Sequence, residues 1–236
     1  MSTIDSGQDY DFISTLTFAS GSGTCNITFH NGSFGAINGT AYYRAGTSGG
    51  WTSLSVSGTS TTFPVSSTTM QIANNWSKNG DNYTTQSFRG QSSNLTKIAI
   101  SLKAVLTGTI GSTFMGSFAW GCSSLTSLDI PDTSGVTSVG SSFMDYYANE
   151  CSSLERLILP SVGWFATNNV TWRVPSSRLN NLKGYVKNPT DLADWQDLVV
   201  SGETLYTNYI RSTGDVLLEA TITNVVSIGN INSIII

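Results

Sequence analysis

The sequence predicts a mainly β protein: an N-terminal antiparallel β-sandwich or jelly-roll-like unit, then a short leucine-rich-repeat solenoid with a C-terminal capping helix and a β-prone tail. Three observations lead there. The phrase Gly121-Cys122-Ser123-Ser124-Leu125-Thr126-Ser127-Leu128-Asp129-Ile130-Pro131 returns as Glu150-Cys151-Ser152-Ser153-Leu154-Glu155-Arg156-Leu157-Ile158-Leu159-Pro160. Ahead of it, short β-branched or aromatic runs are divided by Gly, Ser and Asn clusters. Behind it, a single stretch carries helical spacing.

In chain order, the first unit covers residues 1–87. Its runs are Leu16-Thr17-Phe18, Cys25-Asn26-Ile27-Thr28-Phe29, Ala41-Tyr42-Tyr43-Arg44, Leu54-Ser55-Val56 and Met70-Gln71-Ile72. Turn clusters at this spacing are the pattern of a sandwich or jelly roll. Residues 41–51 predict a hairpin with a Gly-rich tip and Trp51 packed behind it.

The second unit covers residues 88–200. Both copies of the phrase order their apolar residues Leu-x-x-Leu-x-Ile/Leu, a short strand whose alternate side chains enter a stack of like neighbours. Looser copies occupy residues 92–100 and 179–185. The leading leucines stand at 95, 125, 154 and 182, intervals of 30, 29 and 28 residues. That spacing assigns Leu95, Ile98, Ile100, Leu125, Leu128, Ile130, Leu154, Leu157, Leu159 and Leu182 to the repeat core. Three residues ahead of the leading leucines stand Ser92, Cys122, Cys151 and Leu179, a column expected to point inward. A free Cys fills such a slot as a small apolar residue. A Cys122–Cys151 bridge or a metal site is the alternative, without supporting ligands; with Cys25 the cysteine count is odd, which argues against a disulfide framework.

The run Phe118-Ala119-Trp120-Gly121-Cys122-Ser123-Ser124-Leu125-Thr126-Ser127-Leu128-Asp129-Ile130-Pro131, followed by Val136-Thr137-Ser138-Val139-Gly140 and Phe143, resembles the BspA-like leucine-rich repeats of bacterial surface and phage-encoded proteins. The likeness spans about residues 88–200 and is closest over 114–160. It implies adhesion or attachment and brings no catalytic residues. The stretch Met144-Asp145-Tyr146-Tyr147-Ala148-Asn149 reads as an insert in the usual phrase. The hairpin Tyr43-Arg44, turn, Trp51 is also similar to the β-unit that often precedes such repeats.

Residues 189–198 form the one convincing helix, with Thr190 as its N-cap and Asp191 and Asp194 suiting its positive end. Leu192, Trp195 and Leu198 would lie along one face and close the stack. The third segment, 201–236, is β-prone and ends in Ile234-Ile235-Ile236, which predicts docking against another surface.

Charged residues make up only 11% of the 236 and the net charge is −4, against about 25% charged in an ordinary soluble domain. No basic patch offers to neutralise phosphates, so nucleic acid is excluded as a partner. No run approaches the ~18 apolar residues of a membrane span, and residues 1–9 lack the features of a secretory signal. Either an export signal has been removed, or the protein folds in the cytoplasm and leaves by lysis within a phage particle. Unbridged cysteines fit the second reading better.

The chemical motifs come back empty. His30 is the only histidine and reads as a surface turn residue; no phosphate loop, nucleophile elbow or Cys-x-x-Cys is present. Asp129, Asp132 and Asp145 lack the close alternation of a calcium loop. No cofactor and no metal is expected. Six tryptophans, Trp51, Trp76, Trp120, Trp164, Trp172 and Trp195, divide between core and sugar-stacking roles, and Tyr146 and Tyr147 are the expected exposed ligand-contact pair. The resulting expectation is a non-enzymatic phage virion component, a decoration, fibre or receptor-binding subunit, contacting virion proteins or a host glycan or protein. It would be a homo-oligomer, a trimer suiting a fibre. A bacterial cell-surface adhesin is the alternative, and a carbohydrate-active enzyme ranks third for want of an evident acid/base pair.

Overall fold

Phe12, Ser14, Leu16 and Phe18 are buried while Ile13, Thr15 and Thr17 between them are half-buried, the two-residue period of a strand with one face in a core. The computed structural model describes residues 3–4, 10–31, 36–58, 60–75, 78–79, 82–91, 94–104, 106–112, 114–132, 134–140, 143–159, 182–187, 189–201 and 216–218. Among them the elements are β1 (Thr3–Ile4), β2 (Phe12–Phe18), β3 (Gly23–Asn31), β4 (Ala36–Ile37), β5 (Gly39–Ala45), β6 (Trp51–Val56), β7 (Thr61–Val65), β8 (Thr69–Asn74), β9 (Lys78–Asn79), β10 (Asn82–Ser87), β11 (Leu95–Leu102), β12 (Thr107–Ile110), β13 (Ser127–Asp129), β14 (Gly135–Val139), β15 (Arg156–Ile158), β16 (Lys183–Val186), α1 (Pro189–Ser201) and β17 (Val216–Leu218). The protein is mainly β.

The N-terminal strands pair antiparallel in two sheets. One contains β1, β6, β5, β8 and β2; the other joins β4, β7 and β10 to β3, with β9 beyond β10. The hairpin expected over 41–51 is formed by β5 and β6. Trp51 is buried in it beneath the Arg44 guanidinium, 4.2 Å from its ring centroid. Arg44 also donates to Gln71 Oε1, Thr47 O and Gly49 O, which ties the tip to β8. Phe12, Leu16 and Ile72 from the first sheet and Cys25, Ile27 and Phe29 from the second enter one core, and that core continues through Leu95, Leu125 and Leu154.

The first sheet also runs on past residue 87. Its full order is β1-β6-β5-β8-β2-β11-β13-β15-β16-β17, antiparallel as far as the β2–β11 pair and parallel from there. The register makes a single column of Leu16, Ile98, Leu128, Leu157, Gly184 and Val216. Every member is buried, and each leucine contributes about 1.5–3 kcal/mol of burial before entropy is subtracted. Leu95, Cys122, Leu125, Ile130, Cys151, Leu154, Leu159 and Leu182 are buried with them. Ile100 is half-buried and packs on the edge of that core.

Two details of the repeat differ from the sequence expectation. The loose match at 182–185 has a register cause: Gly184, not Tyr185, pairs with Leu157, so Tyr185 leaves the column and lies half-buried under Arg156, whose guanidinium stands 3.7 Å from the ring centroid. The supposed insert at 144–149 is no insert. It is the counterpart, 29 residues on, of Met115-Gly116-Ser117-Phe118-Ala119-Trp120. Met115 and Met144 have φ of 50° and 52°, Ser117 and Tyr146 56° and 57°, Gly121 and Glu150 74° and 62°. Left-handed backbone at matching positions bends both turns alike. The turns then hydrogen-bond face to face: the Ser117, Ala119 and Gly121 amides donate to the Asp145, Tyr147 and Asn149 carbonyls at 2.8, 2.9 and 2.8 Å. Between strand and turn, β12 and β14 pair in parallel. Gly140 follows β14 because a Cβ there would stand 2.3 Å from Ser112 N.

The helix α1 opens at Pro189, so Thr190 sits inside the first turn instead of capping it. Proline suits that first position because its fixed φ is helical and no partner is needed for its nitrogen. Trp195 is fully buried and Leu192 half-buried, and α1 packs on β16 and β17. No helix among the described residues is long and apolar enough to cross a membrane. Ser92, Leu179, Trp76, Trp164, Trp172 and the terminal isoleucines lie outside the described residues, as does the Leu198 side chain. Of the β-prone tail, β17 is described: Val216 enters the core while Leu217 and Leu218 are exposed.

Candidate functional site

The stacked turns sort their side chains into an inner and an outer row. Inward, Phe88, Phe118 and Tyr147 form a buried ladder; the first two meet edge to face at 5.5 Å and the second two stack at 5.2 Å. Phe114 and Phe143 repeat the stacking at 5.5 Å. Outward, the Arg89 guanidinium lies 3.8 Å from the Trp120 ring centroid, and Trp120 stacks on Tyr146 at 5.3 Å with planes 19° apart. Cation, indole and phenol thus come from three successive passes of the chain. The Phe88 and Gly90 amides hold Arg89 in place by donating to the Phe118 and Trp120 carbonyls, each at 2.7 Å.

This outer row borders a groove of ≈ 390 Å³ lined by His30, Arg89, Ser117, Trp120 and Tyr146. His30 arrives from β3, paired with Thr85 of β10, and β10 leads directly into Arg89. The histidine is therefore a half-buried strand residue and not the surface turn residue expected. Ser117 is itself buried, its carbonyl accepting from Ser87 Oγ at 3.0 Å. Arg89 is exposed with its guanidinium carbon 3.8 Å from the Trp120 ring centroid, and the N–H donors of a guanidinium lie in its own plane. With Arg89 and Tyr146 against the two faces of the indole, the arrangement presents ring edges beside a cationic donor, a surface suited to a ligand with both apolar and polar parts.

The expected ligand-contact pair is split by this geometry. Tyr146 borders the groove. Tyr147 is fully buried, and its hydroxyl donates to the Asp129 carbonyl at 2.6 Å, so its exposure is a correction to the sequence expectation. Burial, with the Asp129 carboxylate and Cys151 nearby, pushes the Tyr147 hydroxyl well above the ordinary phenol range. Neighbours in sequence point to opposite sides because the left-handed residue at 146 turns the chain. Trp120 joins Tyr146; Trp51 and Trp195 belong to the core. Sequence reasoning missed His30 and Arg89 as partners, since only the β3–β10 pairing brings residue 30 to residue 89.

The cysteines are free and buried. Cys122 Sγ donates to Phe88 O at 3.1 Å and Cys151 Sγ to Ala119 O at 3.0 Å. Burial pushes the Cys122 thiol up to about 12, and burial together with the adjacent Cys122 raises Cys25 and Cys151 as well. Such thiols are poor nucleophiles and poor metal ligands. Asp129 accepts the Ile100 amide at 3.0 Å. Among the described residues, no group of three or more His, Cys, Asp or Glu is placed to hold a metal ion. Comparison with known proteins finds no match: no family model, no curated protein and no solved structure corresponds to the chain.

Proposed function

We propose that this chain is a non-enzymatic attachment protein in which BspA-like leucine-rich repeats extend an N-terminal sandwich-like β-unit and present the Trp120–Tyr146 groove to a surface saccharide. The outer row of Arg89, Trp120 and Tyr146 beside His30 carries the reading: these rings border an open groove and neither belongs to the buried core. The parallel register of the leucine column and the 29-residue recurrence of the turn support the repeat assignment. Free, buried thiols fit folding in a reducing compartment, which favours a phage virion component, such as a decoration, fibre or receptor-binding subunit, and assembly with copies of itself or other virion proteins.

The test is retention of fluorescently labelled protein on a panel of bacterial cell envelopes, intact and stripped of polysaccharide. Saturable retention on intact envelopes is expected, weakened about 10-fold by Trp120→Ala with the far-ultraviolet circular dichroism spectrum unchanged. Absence of retention on every envelope, or retention indifferent to Trp120→Ala, would overturn the reading.

A further inference from the structure

Two of the groove's described lining residues, Arg89 and His30, are cationic or able to become so, and none is acidic. This contrasts with a chain whose overall charge is −4. The contrast with Arg44 is equally informative. Both arginines stack on a tryptophan, at 4.2 and 3.8 Å, yet Arg44 is turned into the chain, where Gln71, Thr47 and Gly49 accept its protons. Arg89 is exposed at the rim of a groove instead.

From this we infer that the groove selects an acidic saccharide, a pyranose bearing a carboxylate or phosphate. Because Arg89 and Tyr146 cover the two faces of the indole, the sugar would lie against the edges of the Trp120 and Tyr146 rings. Its anion would meet the in-plane donors of Arg89, whose fork matches the two oxygens of a carboxylate or phosphate. His30 stands on the same groove as a further donor, and Ser117 supplies small polar lining. A neutral sugar can use the rings but leaves the guanidinium unmatched. The inference rests on the attachment reading for the location of the site, and adds the charge of the ligand.

Isothermal titration of the full chain against three probes tests it: a glucuronic acid oligosaccharide, its carboxyl-reduced glucose counterpart, and the same glucose oligosaccharide carrying a phosphate. The wild type should bind at least one acidic probe about 10- to 100-fold tighter than the neutral one, the range of a charge-assisted hydrogen bond. Which acidic probe binds tighter identifies the anion. Arg89→Gln should erase that preference, and the ratio of acidic to neutral affinity is the readout, because a disturbed Trp120 would weaken all three probes alike. Equal affinity for acidic and neutral probes in the wild type, no binding of any probe, or a preference that survives Arg89→Gln would overturn the inference. In each of those cases, retention on cell envelopes that depends on Trp120 would still leave the attachment reading standing.

Discussion

Phe118 and Tyr147 occupy equivalent positions on successive turns, their rings 5.2 Å apart and 8° from parallel, and they differ by one oxygen atom that finds the Asp129 carbonyl at 2.6 Å. The hydroxyl therefore binds the turn of one repeat to the strand of the other. It does so in a wholly buried setting, where a polar group without a partner is costly.

Tyr147→Phe follows from that pair. The ring fits, because phenylalanine already stands at 118, so packing is kept and only the hydrogen bond is lost. Unfolding in urea should show a loss of about 1–2 kcal/mol with an unaltered denaturant slope. A change below ~0.5 kcal/mol, the size of an ordinary surface substitution, would mean the bond contributes nothing.

The three buried thiols make a pH prediction with a definite sign. Each has its folded pKa raised above the ordinary value of 9.0, so the folded state keeps a proton that the unfolded state loses. Stability is then complete below pH ~8.5 and falls as pH rises through the thiol range, by roughly 1.4 kcal/mol per pH unit for each thiol. For Cys122 that loss extends to about pH 12. Denaturation midpoints measured between pH 8 and 10.5 should decline, and less steeply in Cys122→Ala. Alkylation should label three cysteines in denaturant and none within minutes in the native protein at pH 8. Rapid native labelling would contradict the burial.

Glu150 occupies the left-handed position that glycine holds in the preceding repeat, with φ of 62° against 74° at Gly121. A side chain there costs about 1–2 kcal/mol, whereas glycine adopts the conformation freely but adds chain entropy to the unfolded state. Glu150→Gly should therefore stabilise the fold by on the order of 0.5–1 kcal/mol, read as an upward shift in thermal midpoint. A downward shift would show that the glutamate side chain contributes more than its backbone strain removes.

The repeat phrase was legible because period and composition coincide: Leu-x-x-Leu at intervals near 29 residues can bury its leucines only by stacking. Cysteine burial was legible for the same reason, as a small residue at a fixed place in the unit. The turn before each cysteine was not. Met144 to Asn149 shares too few side chains with Met115 to Trp120 to look like its copy. What the two share is backbone conformation, and no composition encodes that when the left-handed residues are Met, Ser, Tyr and Glu in place of glycine.

Sequence by itself determined the β character, the leucine column from Ile98 through Leu157, the hairpin around Trp51 and the buried free thiols. Each depends on local periodicity or on the polarity of single residues. Tertiary structure alone decided that β11 pairs with β2, so that one sheet and one core cross residue 87, that Gly184 displaces Tyr185 from the column, and that Tyr146 faces the groove while Tyr147 is buried. It also decided that His30 lines one groove with Arg89, Trp120 and Tyr146. Those outcomes depend on pairing between segments far apart in the chain, where a shift of one residue reverses which side chains face in.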